Sequence, residues 1–127
     1  MKPTAISTTG RATSPAVTVA DHDEATHHCD AALARAFGLL GKRWNGVILG
    51  TLVIGEVGFS ELKRRVEGIS DSVLSDRLSE LQRVGLVVRT VQSGPPVSVT
   101  YALSASGNAL MPAMFALGEW ASTNFVD

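Results

Sequence analysis

Apolar residues recur along this chain with two different periods, and the switch between them divides it. Leu33, Phe37 and Leu40 stand at i, i+4 and i+7, the spacing of one face of a helix, which Gly41 can close. A second helical pattern follows over about Arg43 to Ile54, with Trp44, Val47, Ile48, Thr51 and Leu52 on one side and Gly55 as its stop. Phe59 opens a third, in which Ser60 can cap, Leu62 and Val66 face inward and Lys63, Arg64 and Arg65 point elsewhere; Gly68 ends it. Ser70 or Asp71 then caps a fourth helix with the buried stripe Leu74, Leu78, Leu81, and Ile69 and Leu74 stand where a hydrophobic staple places them.

After Gly85 the period falls to two. Leu86 to Val91 is mostly β-branched, and Val97, Val99 and Tyr101 alternate with small or polar partners, so two strands are expected. Ser93, Gly94, Pro95 and Pro96 between them make a stiff hairpin tip. Ser104 or Ser106 starts a last helix whose apolar residues, Leu110, Met111, Met114, Phe115, Leu117 and Trp120, cover more than one face. One small domain cannot bury both faces of a terminal helix, which implies a partner. The expected fold class is mainly α with a small β-hairpin: a winged helix-turn-helix with extra N- and C-terminal helices for dimerisation. Residues 1–26, rich in Thr, Ser, Ala and Pro, read as a flexible tail, and 27–125 as the domain.

Composition narrows the classes. No window approaches the eighteen or so apolar residues of a membrane span, and the start of the chain lacks the apolar stretch of a signal peptide, so a cytoplasmic protein without membrane contact is expected. The single cysteine, Cys29, cannot form an intramolecular bridge. The net charge of −1 conceals an uneven distribution: residues 1–30 carry 2 basic and 4 acidic side chains, 31–92 carry 9 and 6, and 93–127 carry 0 and 2. The positive excess therefore sits on the helix-turn-helix segment. No nucleotide-binding, metalloprotease or serine-hydrolase motif is present, which argues against an enzyme, and no cofactor is called for. His22, His27, His28 and Cys29 follow no standard zinc spacing, so no metal site is assigned.

The face of the fourth helix opposite its apolar stripe carries Ser72, Asp76, Ser79 and Arg83, with Ser75 and Arg77 on its flanks. Short hydroxylic residues let a helix sink into a major groove roughly 12 Å wide, and helix N-terminal amides and arginine meet phosphates or guanine edges. The candidate DNA-binding residues are Lys63, Arg64, Arg65, Ser70, Asp71, Ser72, Ser75, Asp76, Arg77 and, at the hairpin tip, Ser93. Taken singly each is ordinary solvated surface. Together they stand in the one order that sets a basic helix, a serine-rich helix and a hairpin beside a duplex.

From Cys29 to Trp120 the sequence resembles the HxlR family of bacterial winged-helix transcription regulators. The resemblance is carried by Cys29, Leu39-Leu40-Gly41-Lys42-Arg43-Trp44, Phe59-Ser60-Glu61-Leu62, Gly68-Ile69-Ser70 through Arg77-Leu78, Gly85-Leu86-Val87, Pro95-Pro96-Val97, Val99-Thr100-Tyr101 and Leu117-Gly118-Glu119-Trp120. It covers about three quarters of the chain. Arg43, between Lys42 and Trp44, is a minor departure, and the segment before Cys29 has no counterpart. The resemblance implies a homodimer joined through the first and last helices, by residues such as Leu33, Phe37, Leu110, Met114, Leu117 and Trp120, on a palindromic double-stranded operator.

It also implies that Cys29 corresponds to the cysteine with which some members sense quinones, aldehydes or oxidants. A thiol at the start of a helix would have its thiolate favoured by the dipole, and His27 and His28 add positive charge while Asp30 opposes them. The other reading of Cys29 is a packing residue at the dimer seam. The alternative route for a signal is a small apolar effector in a pocket lined by Trp44, Met111 and Phe115 at the dimer interface, residues that otherwise read as core and seam.

Overall fold

The computed structural model describes the backbone of residues 19–125 and the side chains of residues 30–125. The chain divides between Gly38 and Leu39 into two compact units. The first contributes most of α1 (Val19–Leu40). The described course of this helix already includes residues 19–26, a stretch in which the sequence shows no apolar periodicity. Asp30 to Gly38 are all exposed, with Leu33 at 56% and Phe37 at 51%.

The second unit holds α2 (Asn45–Thr51), continued by a 3₁₀ turn over Leu52–Ile54, then β1 (Val57–Gly58), α3 (Phe59–Val66), α4 (Asp71–Arg83), β2 (Val87–Gln92), β3 (Ser98–Leu103) and α5 (Ala105–Asn124). α3, α4 and the β2–β3 hairpin follow in the order expected of a winged helix-turn-helix. The sheet has three strands rather than two, in the order β1-β3-β2, with both pairings antiparallel. β1 was missed because it is two residues long: Val57 pairs with Tyr101 and Gly58 with Thr100, too short a run for any alternation to register.

The core is aliphatic. Ile48, Leu49, Leu52, Leu62, Leu74, Leu78 and Leu81 are essentially sealed from solvent, and Ile69, Leu86, Val87, Tyr101 and Met111 close around them. Burying each side chain of this size is worth about 1.5–3 kcal/mol, which is how a small three-stranded sheet and short helices hold together. α2 corrects the expected pattern. Its buried face is Asn45, Ile48, Leu49 and Leu52, whereas Val47 is 53% exposed.

The helix starts are partly as expected. Ser70 caps α4, its Oγ accepting from the Val73 amide at 3.2 Å, and Ile69 and Leu74 are both buried, as a staple requires. Ser104 caps α5, accepting from the Gly107 amide at 3.0 Å. α3 differs: its N-cap position is Gly58 with no side-chain cap, and Ser60 sits exposed within the first turn. Gly107 is buried where α5 leaves the sheet; a Cβ there would lie well inside contact with the Leu86 carbonyl oxygen and at 3.2–3.3 Å from the Leu103 side chain. No helix among the described residues is long and apolar enough to cross a membrane.

Candidate nucleic-acid interface

Ordering by the core leaves one face of α4 free. With Leu74, Leu78 and Leu81 turned inward, Ser72, Ser75, Asp76 and Ser79 are exposed, and so is Asp71 in the first turn. Ser70 is occupied as the cap, its Oγ also 3.4 Å from that of Ser72. Ser93 is exposed at the hairpin tip. The structure thus brings the serine-rich face of α4 to the surface of the second unit.

The basic residues of α3 are already partnered. Lys63 Nζ stands 2.9 Å from Asp71 Oδ1, linking the end of α3 to the start of α4. Arg64 and Arg65 both bind Glu61, Arg65 through Nε at 2.6 Å. The hydrogen bonds from Arg64 and then Arg65 hold the Glu61 carboxyl below the usual range. These pairs are solvent-exposed and screened by water, so a phosphate can take a carboxylate's place at little cost.

Arg77 is turned differently. Its guanidinium lies 3.1 Å from Glu80 Oε1 and its side chain is only 24% exposed. Glu80 is the single buried charged residue among those described. Lys42 Nζ donates to its Oε2, Asn45 Nδ2 reaches Oε1 at 3.4 Å, and Arg83 stands 4.0 Å away. Asn45 Nδ2 also donates to the Leu39 carbonyl at 2.9 Å, while its buried Oδ1 has no partner. The hydrogen bond from Lys42, aided by Asn45 and the charge of Arg77, outweighs burial and lowers the Glu80 pKa. Sequence reading missed Glu80 and Asn45 entirely.

A folded pKa below the unfolded value of 4.5 means that, as pH falls through that region, the unfolded chain takes up a proton first. Stability contributed by Glu80 is thus present above pH 4.5 and is lost as the acid approaches the folded pKa. Chemical denaturation across this range should show the wild-type advantage over Glu80→Gln shrinking with falling pH. A constant gap would mean that the carboxylate is not held ionised by these neighbours.

Trp44, Met111 and Phe115, expected around an apolar pocket at a dimer interface, stand in different surroundings within the single chain. Met111 is 5% exposed in the core and Phe115 is 59% exposed on α5. Trp44 instead lines a cleft of about 340 Å³ with Lys42, Arg43, Val73, Asp76 and Arg77. Trp44 holds a left-handed backbone (φ 83°) at the N-cap of α2, and the Arg43 guanidinium lies 4.8 Å from its ring centroid. Arg43 and Trp44 therefore precede α2 rather than opening it.

Among the residues expected at a dimer seam, Leu117 and Trp120 are 46% and 51% exposed, whereas Leu110 and Met114 are half-buried against the chain's own core. Cys29 occupies the eleventh position of α1, not its start. The helix dipole acts within the first or last turn, so the place of Cys29 within α1 gives the expected dipole argument no support. The side chains of Cys29, His22, His27 and His28 lie outside the described residues; among those described, no group of three or more potential metal ligands occurs.

The model of the HxlR-like helix-turn-helix family matches residues 39–127. The chain is 41% identical over 86 residues to the HTH-type transcriptional regulator YodB of Bacillus subtilis, covering 68% of this chain and 77% of that protein. The reduced form of YodB superposes with a TM-score of 0.70 at 37% identity, over 74% of this chain and 92% of that one. The redox regulator HypR in its oxidized form superposes at 0.69 with 27% identity, over 76% and 99%. By sequence across its second unit and by fold, the chain belongs to the HxlR-like helix-turn-helix family and is a transcription regulator of the helix-turn-helix type.

Proposed function

We propose that this regulator is a homodimer that binds a palindromic double-stranded DNA operator by inserting α4 into the major groove. The observation that carries the reading is the exposed, small and hydroxylic face of α4, flanked by the basic end of α3. In this arrangement Ser72, Ser75 and Asp76 meet base edges, the latter suited to a cytosine amino group, and the free amides around Ser70 and Asp71 approach a phosphate. Lys63, Arg64 and Arg65 exchange their carboxylate partners for phosphates, and the hairpin tip at Ser93 follows the flanking backbone or minor groove.

Cys29 is proposed as the redox- or electrophile-reactive residue. What supports this is that YodB has been solved in a reduced form and HypR, a redox regulator, in an oxidized one. The family match begins at residue 39, beyond Cys29, so the assignment rests on the resemblance around the cysteine and not on helix-dipole activation. With one cysteine per chain, a reversible switch uses an intersubunit disulfide or a mixed disulfide with a small thiol; an electrophile would alkylate the thiolate directly.

One titration tests the whole reading, with a duplex enriched from a random pool by the wild-type protein and a scrambled duplex of equal length. Arg64→Ala should weaken both and flatten the salt dependence by about one ion, whereas Ser72→Ala should change preference between duplexes by about 1–3 kcal/mol if a base contact is lost. Diamide should lower wild-type affinity and leave Cys29→Ser unaffected. Equal losses on both duplexes for both contact variants would refute the division of labour, and an equal diamide response in wild type and Cys29→Ser would remove the cysteine from the mechanism.

A further inference from the structure

Glu80 has no part in the interface just described, yet it is the place where the second unit concentrates its polar interactions. Four groups converge on one carboxylate: Lys42 from the turn between α1 and α2, Asn45 from the first position of α2, and Arg77 and Arg83 from α4 itself. Asn45 ties the same point to the Leu39 carbonyl in the last turn of α1. Burying a carboxylate is costly, and a well-packed apolar residue of similar size is often as stabilising, so net stability alone does not account for such a cluster.

We propose that the Lys42–Glu80 pair is a positioning clamp for α4: it fixes the recognition helix against the turn after α1 and, through Arg77, keeps that guanidinium away from the base edges. The inference rests on the DNA-binding reading above and assigns within it a role that no residue of the interface fills. Two consequences follow from the geometry. Arg77, folded onto Glu80 with a quarter of its side chain exposed, is a positioning residue rather than a base reader. Discrimination falls to the short side chains Ser72, Ser75 and Asp76, which tolerate little displacement, because a short side chain cannot reach across a gap that a flexible arginine could span.

The clamp is tested with Lys42→Gln, Lys42→Arg, Glu80→Gln and the Lys42→Gln/Glu80→Gln double variant, on the selected and scrambled duplexes. Lys42 is half-exposed, with 48% of its side chain accessible, so its variants keep the fold even if Glu80→Gln does not. Lys42→Gln and Glu80→Gln should each lose about tenfold on the selected duplex, and the double variant no more than either single one, because both remove the same contact. Affinity for the scrambled duplex and the salt slope should match wild type, and Lys42→Arg should restore discrimination. A merely structural role would lower both affinities together with the melting temperature, which overturns the proposal. A direct phosphate contact by Lys42 would reduce the salt slope by about one and weaken both duplexes alike, which also overturns it. If the random pool yields no enriched duplex, the DNA-binding reading itself fails, an outcome distinct from an enriched duplex that the variants bind normally.

Discussion

If the proposed homodimer is seated on α5, Leu117→Asp is expected to leave the chain folded but monomeric, and to lower affinity for the selected duplex by about 10²–10⁴-fold, the avidity lost when two sites are no longer linked. Leu117 is 46% exposed and belongs to no part of the core; Phe115, Trp120 and Phe125 near it on and after α5 are 51–67% exposed. Trp120 and Phe125 meet edge-to-face at 4.9 Å, so part of this surface is preordered. A carboxylate there is harmless in water but costly in a dry seam that offers it no cationic partner. Sedimentation and the DNA titration together decide the matter. A variant that remains dimeric would move the seam elsewhere, and one that unfolds would mean that α5 is internal to the fold in a way its exposure does not suggest.

Leu74→Ala should destabilise by about 2–5 kcal/mol in urea unfolding, the range for removing a fully buried leucine from a core that relaxes only partly. Leu74 is sealed from solvent beneath the first turn of α4, and it closes the staple with Ile69 that sets the angle at which the chain enters the helix. Ser72, two residues earlier and exposed, offers the control on the same turn: Ser72→Ala should change stability by no more than about 0.5 kcal/mol while altering sequence preference. A loss below 1 kcal/mol for Leu74→Ala would contradict the tight core around α4.

The contrast between these positions shows what periodicity could and could not reveal. Leu74, Leu78 and Leu81 recur at helical spacing, Ser70 supplies a cap and the change of period after Gly85 marks the wing, so α4 and the hairpin were legible. Local chemistry decided them. Asn45 was not legible, because an apolar-only reading of α2 rejects an asparagine and promotes Val47 to the inner face in its place. The actual buried set, 45, 48, 49 and 52, has ideal spacing once a polar member is admitted. Glu80 escaped for a stronger reason: a wheel assigns glutamate to solvent, and its partner Lys42 is 38 residues away. The helical course of residues 19–26 was not legible because a segment without an apolar stripe gives the 3.6 period nothing to act on, and the place of Cys29 inside α1 removes the backbone basis of the dipole argument.

The backbone contact at Gly107 makes α5 a lever whose fulcrum is a missing methyl group. The Leu86 carbonyl accepts the Ser104 amide at 2.9 Å and lies against the first turn of α5, at a distance only a glycine permits. α5 then runs for 20 residues, about 30 Å, so a small tilt imposed at its root becomes a displacement of several ångströms at Trp120. In a two-fold assembly seated on that far end, the tilt acts once in each subunit, and the separation of the two recognition helices changes by the combined amount. In the homodimer proposed above, operator spacing would then depend on the joint between the wing and the last helix, where a side chain at residue 107 has no room.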